Sequence, residues 1–128
     1  MSHLLLKDDL LFTTITIAYQ GAVLDIEHVL VDTGSATTIL AVDIVAAVPI
    51  VPLPEDILHT IRGVGGMEVV FTRRIDYLQV GKRKLSGFEI EVGGMDYGFE
   101  INGILGLDFL IRTSAIINLQ ERKIIFPD

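Results

Sequence analysis

The segment Val29-Leu30-Val31-Asp32-Thr33-Gly34-Ser35-Ala36-Thr37-Thr38 decides how this chain is interpreted. Its first three residues are apolar and rich in β-branched side chains, which is typical of a buried strand. The strand gives way at once to a carboxylate, a hydroxyl and a glycine. Asp32 therefore stands in a turn where Gly34 lets another backbone pass closely. The same residue types are also common in ordinary turns, so the rest of the sequence must decide between the two interpretations.

The composition predicts one domain over residues 1–128, because 50% of the 128 residues are hydrophobic and can form a core. The net charge of −7 disfavours nucleic acid as a partner, since nucleic acid binds basic surfaces. The sequence has neither an apolar run long enough to cross a bilayer nor a signal peptide pattern, so we expect no membrane partner and a cytoplasmic location. The excess of apolar residues predicts burial against a partner, and therefore an oligomer.

Metal and thiol chemistry are not indicated. The chain contains no cysteine, and His3, His28 and His59 lie far apart without the spacing of metal ligands. We therefore expect neither a metal ion nor a cofactor. Two short basic clusters, at residues 73–74 and 82–84, are interpreted as solvated hairpins.

Strand patterns dominate the chain. Residues 10–31 predict a hairpin that leads directly into Asp32, because β-branched residues flank the Gln20-Gly21 turn. A helix is predicted over 41–48 and ended by Pro49, and a second short helix over 107–112. The other predicted strands cover 58–62, 67–72, 75–80, 85–92, 115–119 and 123–126. The fold class is therefore mostly β, with one or two short helices.

The run Gly63-Val64-Gly65-Gly66 lies between two strand-like arms and predicts a flexible hairpin tip. A phosphate-binding loop would lead from a strand into a helix, whereas this run continues into β-branched residues. Nucleotide binding is therefore not favoured.

The order of these features resembles the retropepsin-like aspartic proteases, the single-domain relatives of pepsin and of the retroviral proteases. The matching segments are Asp32-Thr33-Gly34-Ser35-Ala36, the glycine-rich run 63–66, Ile104-Leu105-Gly106 with the following Leu107-Asp108-Phe109-Leu110, and a terminal hairpin. Together they cover about residues 10–126. The resemblance implies a closed β-barrel of the acid protease fold that forms half of a two-fold dimer.

The resemblance also assigns roles around the turn. Asp32 is similar to the catalytic carboxylate, and Thr33 to the residue whose hydroxyl bonds to the partner's active-site loop. Gly34 permits that close approach. Ser35 occupies the position of a hydroxyl that can bond the catalytic carboxylate.

Two further segments receive roles from the family. The run Gly63, Val64, Gly65 and Gly66 resembles the flap over the substrate. The triplet Ile104, Leu105 and Gly106 resembles the segment packed behind the active-site loop, although the first two are equally well explained as ordinary core residues.

The single Asp-Thr-Gly implies a homodimer, because aspartic protease hydrolysis uses two carboxylates that share a proton. We therefore expect an endopeptidase that hydrolyses extended peptides by activating water between Asp32 and its symmetry mate. In the family the chain termini commonly interleave at the dimer interface, which makes Ile124, Ile125 and Phe126 candidates for contact, together with Leu4–Leu6.

Two alternatives remain open from the sequence. The chain can be a catalytically silent module of the same fold that dimerises or binds peptides, because fold does not imply function. It can also be an unrelated β-barrel binding protein in which the motif occurs by chance.

Overall fold

The computed structural model describes residues 2–63, 66–95 and 100–128. Its strands are β1 (Ser2–His3), β2 (Leu5–Lys7), β3 (Leu10–Tyr19), β4 (Ala22–Val31), β5 (Ile39–Ala41), β6 (His59–Gly63), β7 (Gly66–Val80), β8 (Arg83–Gly93), β9 (Gly103–Leu105), β10 (Ile116–Asn118) and β11 (Lys123–Ile125). Two short helices are described, α1 (Val42–Val45) and α2 (Leu107–Arg112).

The hairpin β3–β4 is the element that presents Asp32. It pairs from Phe12 opposite Leu30 to Tyr19 opposite Ala22, with one irregularity in register between Thr13 and Ile15. Apolar side chains on its inner face are almost fully buried, because alternate residues of a strand point to the same side. The hairpin predicted over 10–31 is therefore confirmed.

Eight strands form the main sheet in the order β2-β3-β4-β9-β5-β8-β7-β6. Strand β7 also pairs with β3, where Thr16, Ile17 and Ala18 lie opposite residues 77–79. This extra pairing makes the sheet partly ring-like, with the core on its inner side. The predicted mostly β fold of the acid protease type with short helices is confirmed.

The first helix is shorter than predicted. It covers Val42–Val45 rather than 41–48 and continues as a turn in which the amide of Val48 donates to the carbonyl of Val45. Pro49 cannot donate a backbone hydrogen bond, and the amide of Ile50 instead returns to Val45 at 3.2 Å. One helical turn followed by a compact bend therefore accounts for the apolar spacing of residues 41–48.

The strands predicted at 67–72 and 75–80 are one continuous strand, β7. Arg73 consequently lies within a strand, and its side chain is only 10% exposed. The interpretation of residues 73–74 as a solvated hairpin was therefore wrong for Arg73, whereas Arg74 is exposed. The sequence showed two adjacent arginines but could not show that the fold covers the side chain of Arg73 and leaves Arg74 exposed.

Arg73 is held by aromatic rings and by an acidic partner. Its guanidinium carbon lies 5.2 Å from the ring centroid of Phe71 and 5.9 Å from that of Tyr19. Its Nη2 donates to Asp56 Oδ2 at 2.7 Å and to the carbonyl of Val51 at 3.1 Å. Arg73 thereby fixes the irregular segment 51–56 against the sheet.

The termini form a small second sheet in the order β1-β11-β10. Because β11 pairs on both sides within its own chain, it offers no free edge to a partner. Ile124 and Phe126 are buried in their own core, and Phe126 packs edge-to-face on Phe109 with a centroid distance of 6.2 Å. Among the described residues, these two side chains are therefore not exposed for contact, whereas Leu5 and Leu6 are.

Neither helix of the described ranges is both long and apolar enough to cross a membrane.

Candidate active site

The segment that carries Asp32 passes around the end of β9. Strand β9 lies between β4 and β5: Val31 pairs parallel with Leu105, and Ile39 pairs antiparallel with Ile104. The chain that leaves β4 and returns as β5 must therefore turn at the position where β9 ends. Residues 32–38 form this turn.

Backbone hydrogen bonds hold Asp32 at the start of the turn. Its amide donates to the carbonyl of Leu105 at 3.1 Å, and its carbonyl accepts from the amide of Ser35 at 3.2 Å. The amide of Gly34 donates to Oδ1 of Asp32 at 2.8 Å. The carboxylate is partly exposed, and one of its oxygens is oriented by a fixed donor.

Gly106 makes the close approach behind the turn possible. A Cβ atom at this position would lie 2.6 Å from the carbonyl carbon of Thr37 and 2.9 Å from the carbonyl oxygen of Ser35. The next two amides bind the same segment, since Leu107 donates to Ser35 at 2.8 Å and Asp108 to Ala36 at 3.2 Å. A residue larger than glycine would push the turn away from β9.

The far end of the turn is fixed by a side-chain pair. Thr38 is fully buried; its amide donates to Oδ2 of Asp108 at 3.0 Å, and its hydroxyl donates to Oδ1 at 2.7 Å. The amide of Gly106 donates to the same hydroxyl at 3.1 Å. The turn that carries the Asp32 carboxylate is therefore held by hydrogen bonds at both ends, to Leu105 at its start and to Gly106 and Asp108 at its end.

A family model described as aspartyl protease matches residues 15–109. This range contains most of the β3–β4 hairpin, the turn, β9 and the beginning of α2, which together build the geometry described above.

The chain belongs to the aspartyl protease family.

The family is of the retropepsin-like type, as the motifs indicated. Among curated protein sequences, none matches the chain significantly.

In the folded chain the predicted catalytic residues lie together in the turn. Thr33 and Gly34 are exposed at its tip, beside the partly exposed Asp32. The hydroxyl of Ser35 donates to the carbonyl of Thr37 at 2.7 Å, inside its own loop, rather than to the carboxylate. The donor to the Asp32 carboxylate is instead the Gly34 amide. Ser35 therefore stabilises the shape of the turn.

The predicted support residues lie behind the turn. Leu105 is fully buried, and Ile104 packs in a small cluster with Phe12 and Ile101. Their packing is that of ordinary core residues, while the backbone carbonyl of Leu105 makes the contact to Asp32. The apolar-apolar-Gly triplet thus contacts the turn through its main chain.

The predicted flap corresponds to the end of the β6–β7 hairpin. Its pairing runs from His59 opposite Val70 to Gly63 opposite Gly66. Val64 and Gly65, the other two predicted flap residues, lie outside the described residues. Two apolar side chains near the end of the hairpin, Met67 and Val69, are exposed.

Within the described ranges, no group of three or more His, Asp or Glu residues is arranged to hold a metal ion.

Sequence reasoning did not select Thr38 or Asp108 as site residues. Asp108 was noted only as part of the family segment after Gly106, and 70 residues separate it from Thr38. The available signal was an acidic residue in the first turn of a short helix that directly follows the triplet Ile104-Leu105-Gly106. Only the folded chain shows that this carboxylate faces the end of the Asp32 turn.

Proposed function

We propose that this protein is a homodimeric aspartic endopeptidase in which Asp32 of each subunit contributes one carboxylate of the catalytic pair. The observation that carries the proposal is a partly exposed Asp32, with its carboxylate bonded by the Gly34 amide and its backbone tied to Leu105. The sequence contains one Asp-Thr-Gly, so a second copy has to supply the second carboxylate.

The chemistry needs one proton shared between the two carboxylates. The ionised carboxylate takes a proton from water as the water oxygen attacks the peptide carbonyl carbon, and the protonated one gives its proton to the carbonyl oxygen. The tetrahedral intermediate then collapses: its C–N bond breaks as the protonated carboxylate gives its proton to the leaving nitrogen, and one hydroxyl of the intermediate returns its proton to the other carboxylate as the carbonyl reforms, so the pair again holds one proton. The enzyme forms no covalent bond to the substrate.

The sheet architecture supports an extended peptide as the substrate. An extended peptide would lie between the β6–β7 hairpin and the floor that carries Asp32, pairing its backbone with strand edges. Met67 and Val69 offer exposed apolar surface on the hairpin. Closure of a glycine-rich hairpin tip would exclude water and fix the scissile bond near the carboxylates.

The first test is cleavage of a diverse peptide mixture between about pH 3 and pH 8, comparing the wild type with Asp32→Asn. A statine-type inhibitor serves as a second criterion, and Asp43→Asn is the matched control because Asp43 is exposed on α1. Cuts that disappear in Asp32→Asn and with inhibitor, but persist in Asp43→Asn, would support the proposal. A folded dimer that cuts nothing at any pH would instead support the silent module.

The shared site has a separate test. After subunit exchange, an excess of Asp32→Asn should lower the wild-type activity below simple dilution, because mixed dimers carry only one carboxylate. Unchanged activity of the wild-type fraction would contradict a site built from two subunits. Sedimentation of both proteins checks that exchange is possible at the assay concentration.

A further inference from the structure

Thr38 is a junction between three elements of the fold. It is fully buried, and its carbonyl accepts from the amide of Glu91 on β8 at 2.9 Å. Its amide and hydroxyl both bond to the carboxylate of Asp108 on α2. Its hydroxyl oxygen also accepts from Gly106. The polar groups of one buried residue thus join the turn, the helix and the neighbouring strand.

The direction of these hydrogen bonds is fixed by the groups involved. The amide of Gly106 only donates, and the carboxylate of Asp108 only accepts. The Thr38 hydroxyl must therefore receive the Gly106 bond and direct its own hydrogen to Asp108. Oδ1 of Asp108 also accepts from the amide of Phe109 at 2.8 Å, which orients the carboxylate within its own helix.

Both ends of the catalytic turn are consequently attached to the short segment 105–108. At the first end, the amide of Asp32 bonds to Leu105. At the last end, Thr38 bonds to Gly106 and Asp108. A shift of α2 relative to β9 would therefore alter the span of the turn and the position of Asp32.

We propose that Thr38 and Asp108 act as a positioning pair for Asp32. The pair sets the geometry of the catalytic turn without touching the substrate. The proposal rests on the proposed function, since positioning has a catalytic meaning only if Asp32 is catalytic. It assigns a role to two residues that lie outside the Asp-Thr-Gly motif and outside the triplet 104–106.

The kinetic test compares Asp108→Ala and Thr38→Val with the wild type. A displacement of a reacting group by about 1 Å can lower rates by about 100-fold, so we expect kcat to fall by about 10- to 100-fold with little change in KM. Thr38→Ser keeps the hydroxyl and should restore kcat. Asp43→Ala is the matched control, because it removes an exposed carboxylate. An unchanged kcat per folded molecule in Thr38→Val and Asp108→Ala would overturn the proposal.

A structural readout separates this proposal from the proposed function. Amide hydrogen exchange should be faster by about 10-fold or more at Asp32 and Gly34 in Asp108→Ala than in the wild type or in Asp43→Ala. That result would support positioning even if no peptide is cut, whereas unchanged exchange at both amides would contradict it. If Asp108→Ala does not fold, Asp108→Asn replaces it: its NH2 group only donates, so whichever way the amide is turned, the backbone amide of Thr38 or of Phe109 loses its acceptor, and faster exchange is again expected.

Discussion

Nε2 of His59 on β6 lies 2.8 Å from Oε2 of Glu91 on β8, so a side-chain contact joins two strands that do not pair with each other. Strand β7 lies between them in the sheet, and the two side chains meet across it. Because a carboxylate accepts hydrogen bonds, Nε2 is the donor. The side chain of Glu91 is 12% exposed and that of His59 is 40% exposed.

The first prediction concerns this pair. Glu91→Ala should lower the free energy of unfolding by about 0.5–1 kcal/mol, because the pair is partly solvated. It should accelerate amide exchange in residues 59–62 more than elsewhere, since the base of the hairpin loses its anchor. Glu89→Ala, an exposed carboxylate on the same strand, is the control. Equal exchange in both variants would show that the pair does not hold the hairpin.

The second prediction concerns Gly106. Gly106→Ala places a Cβ atom against the carbonyl groups of Thr37 and Ser35, which are backbone and cannot rotate away. We expect the free energy of unfolding to fall by about 1–3 kcal/mol, with loss of peptide cleavage because the Asp32 turn is displaced. Urea unfolding measures the first effect. Gly94→Ala, at an exposed position, should leave both properties close to those of the wild type.

The third prediction concerns Arg73. Arg73→Ala leaves the carboxylate of Asp56, which is 12% exposed, without its cation, and should cost about 3 kcal/mol of stability. It should also open the segment 51–56 to limited proteolysis. Arg73→Lys should not restore the wild type, because an ammonium group cannot reproduce both guanidinium hydrogen bonds and the stacking on Phe71. Arg74→Ala is the exposed control. Similar protease sensitivity in the two alanine variants would argue against this role.

The fourth prediction concerns pH. The hydrogen bond and positive charge of Lys82 hold the pKa of the Asp128 carboxyl below its ordinary value. A folded-state pKa below the unfolded value gives a stabilising contribution that is present above the unfolded pKa and lost as pH falls through the folded pKa. Lys82→Ala should return the carboxyl titration, followed by NMR, toward higher pH. High salt should reduce the difference, because the pair is exposed. An identical titration in both proteins would rule out the contact in solution.

The sequence predicted the elements whose signals are local. The β-branched run before Gln20 and the apolar run before Asp32 predict strands from their composition and side-chain alternation alone. The hairpin predicted from them is confirmed. Helix α2 was predicted at its observed bounds, 107–112. The end of the first helix was predicted less well, because apolar spacing over 41–48 fits both a helix and a bend that buries the same side chains.

The sequence alone did not predict which distant residues come into contact. Residues 73–74 read as two equivalent charges, but the folded chain covers Arg73 with Tyr19, Phe71 and Asp56. The family resemblance made Ile124 and Phe126 candidates for a contact between subunits, but both side chains are buried in the core of their own chain. In both cases the environment comes from residues far away along the chain.

The sequence by itself determined that a carboxylate follows a buried strand, that glycines occupy the turn and the segment behind it, and that these 128 residues contain one Asp-Thr-Gly. These are properties of residue type and order, so no folding was needed to state them. The tertiary structure alone decided which groups hold the turn that carries this carboxylate: Leu105 and Gly106 lie behind the turn, and Thr38 bonds to Asp108 at its far end. Hydrogen bonds between residues some 70 positions apart depend on the register of β4, β9 and β5, which local sequence does not encode.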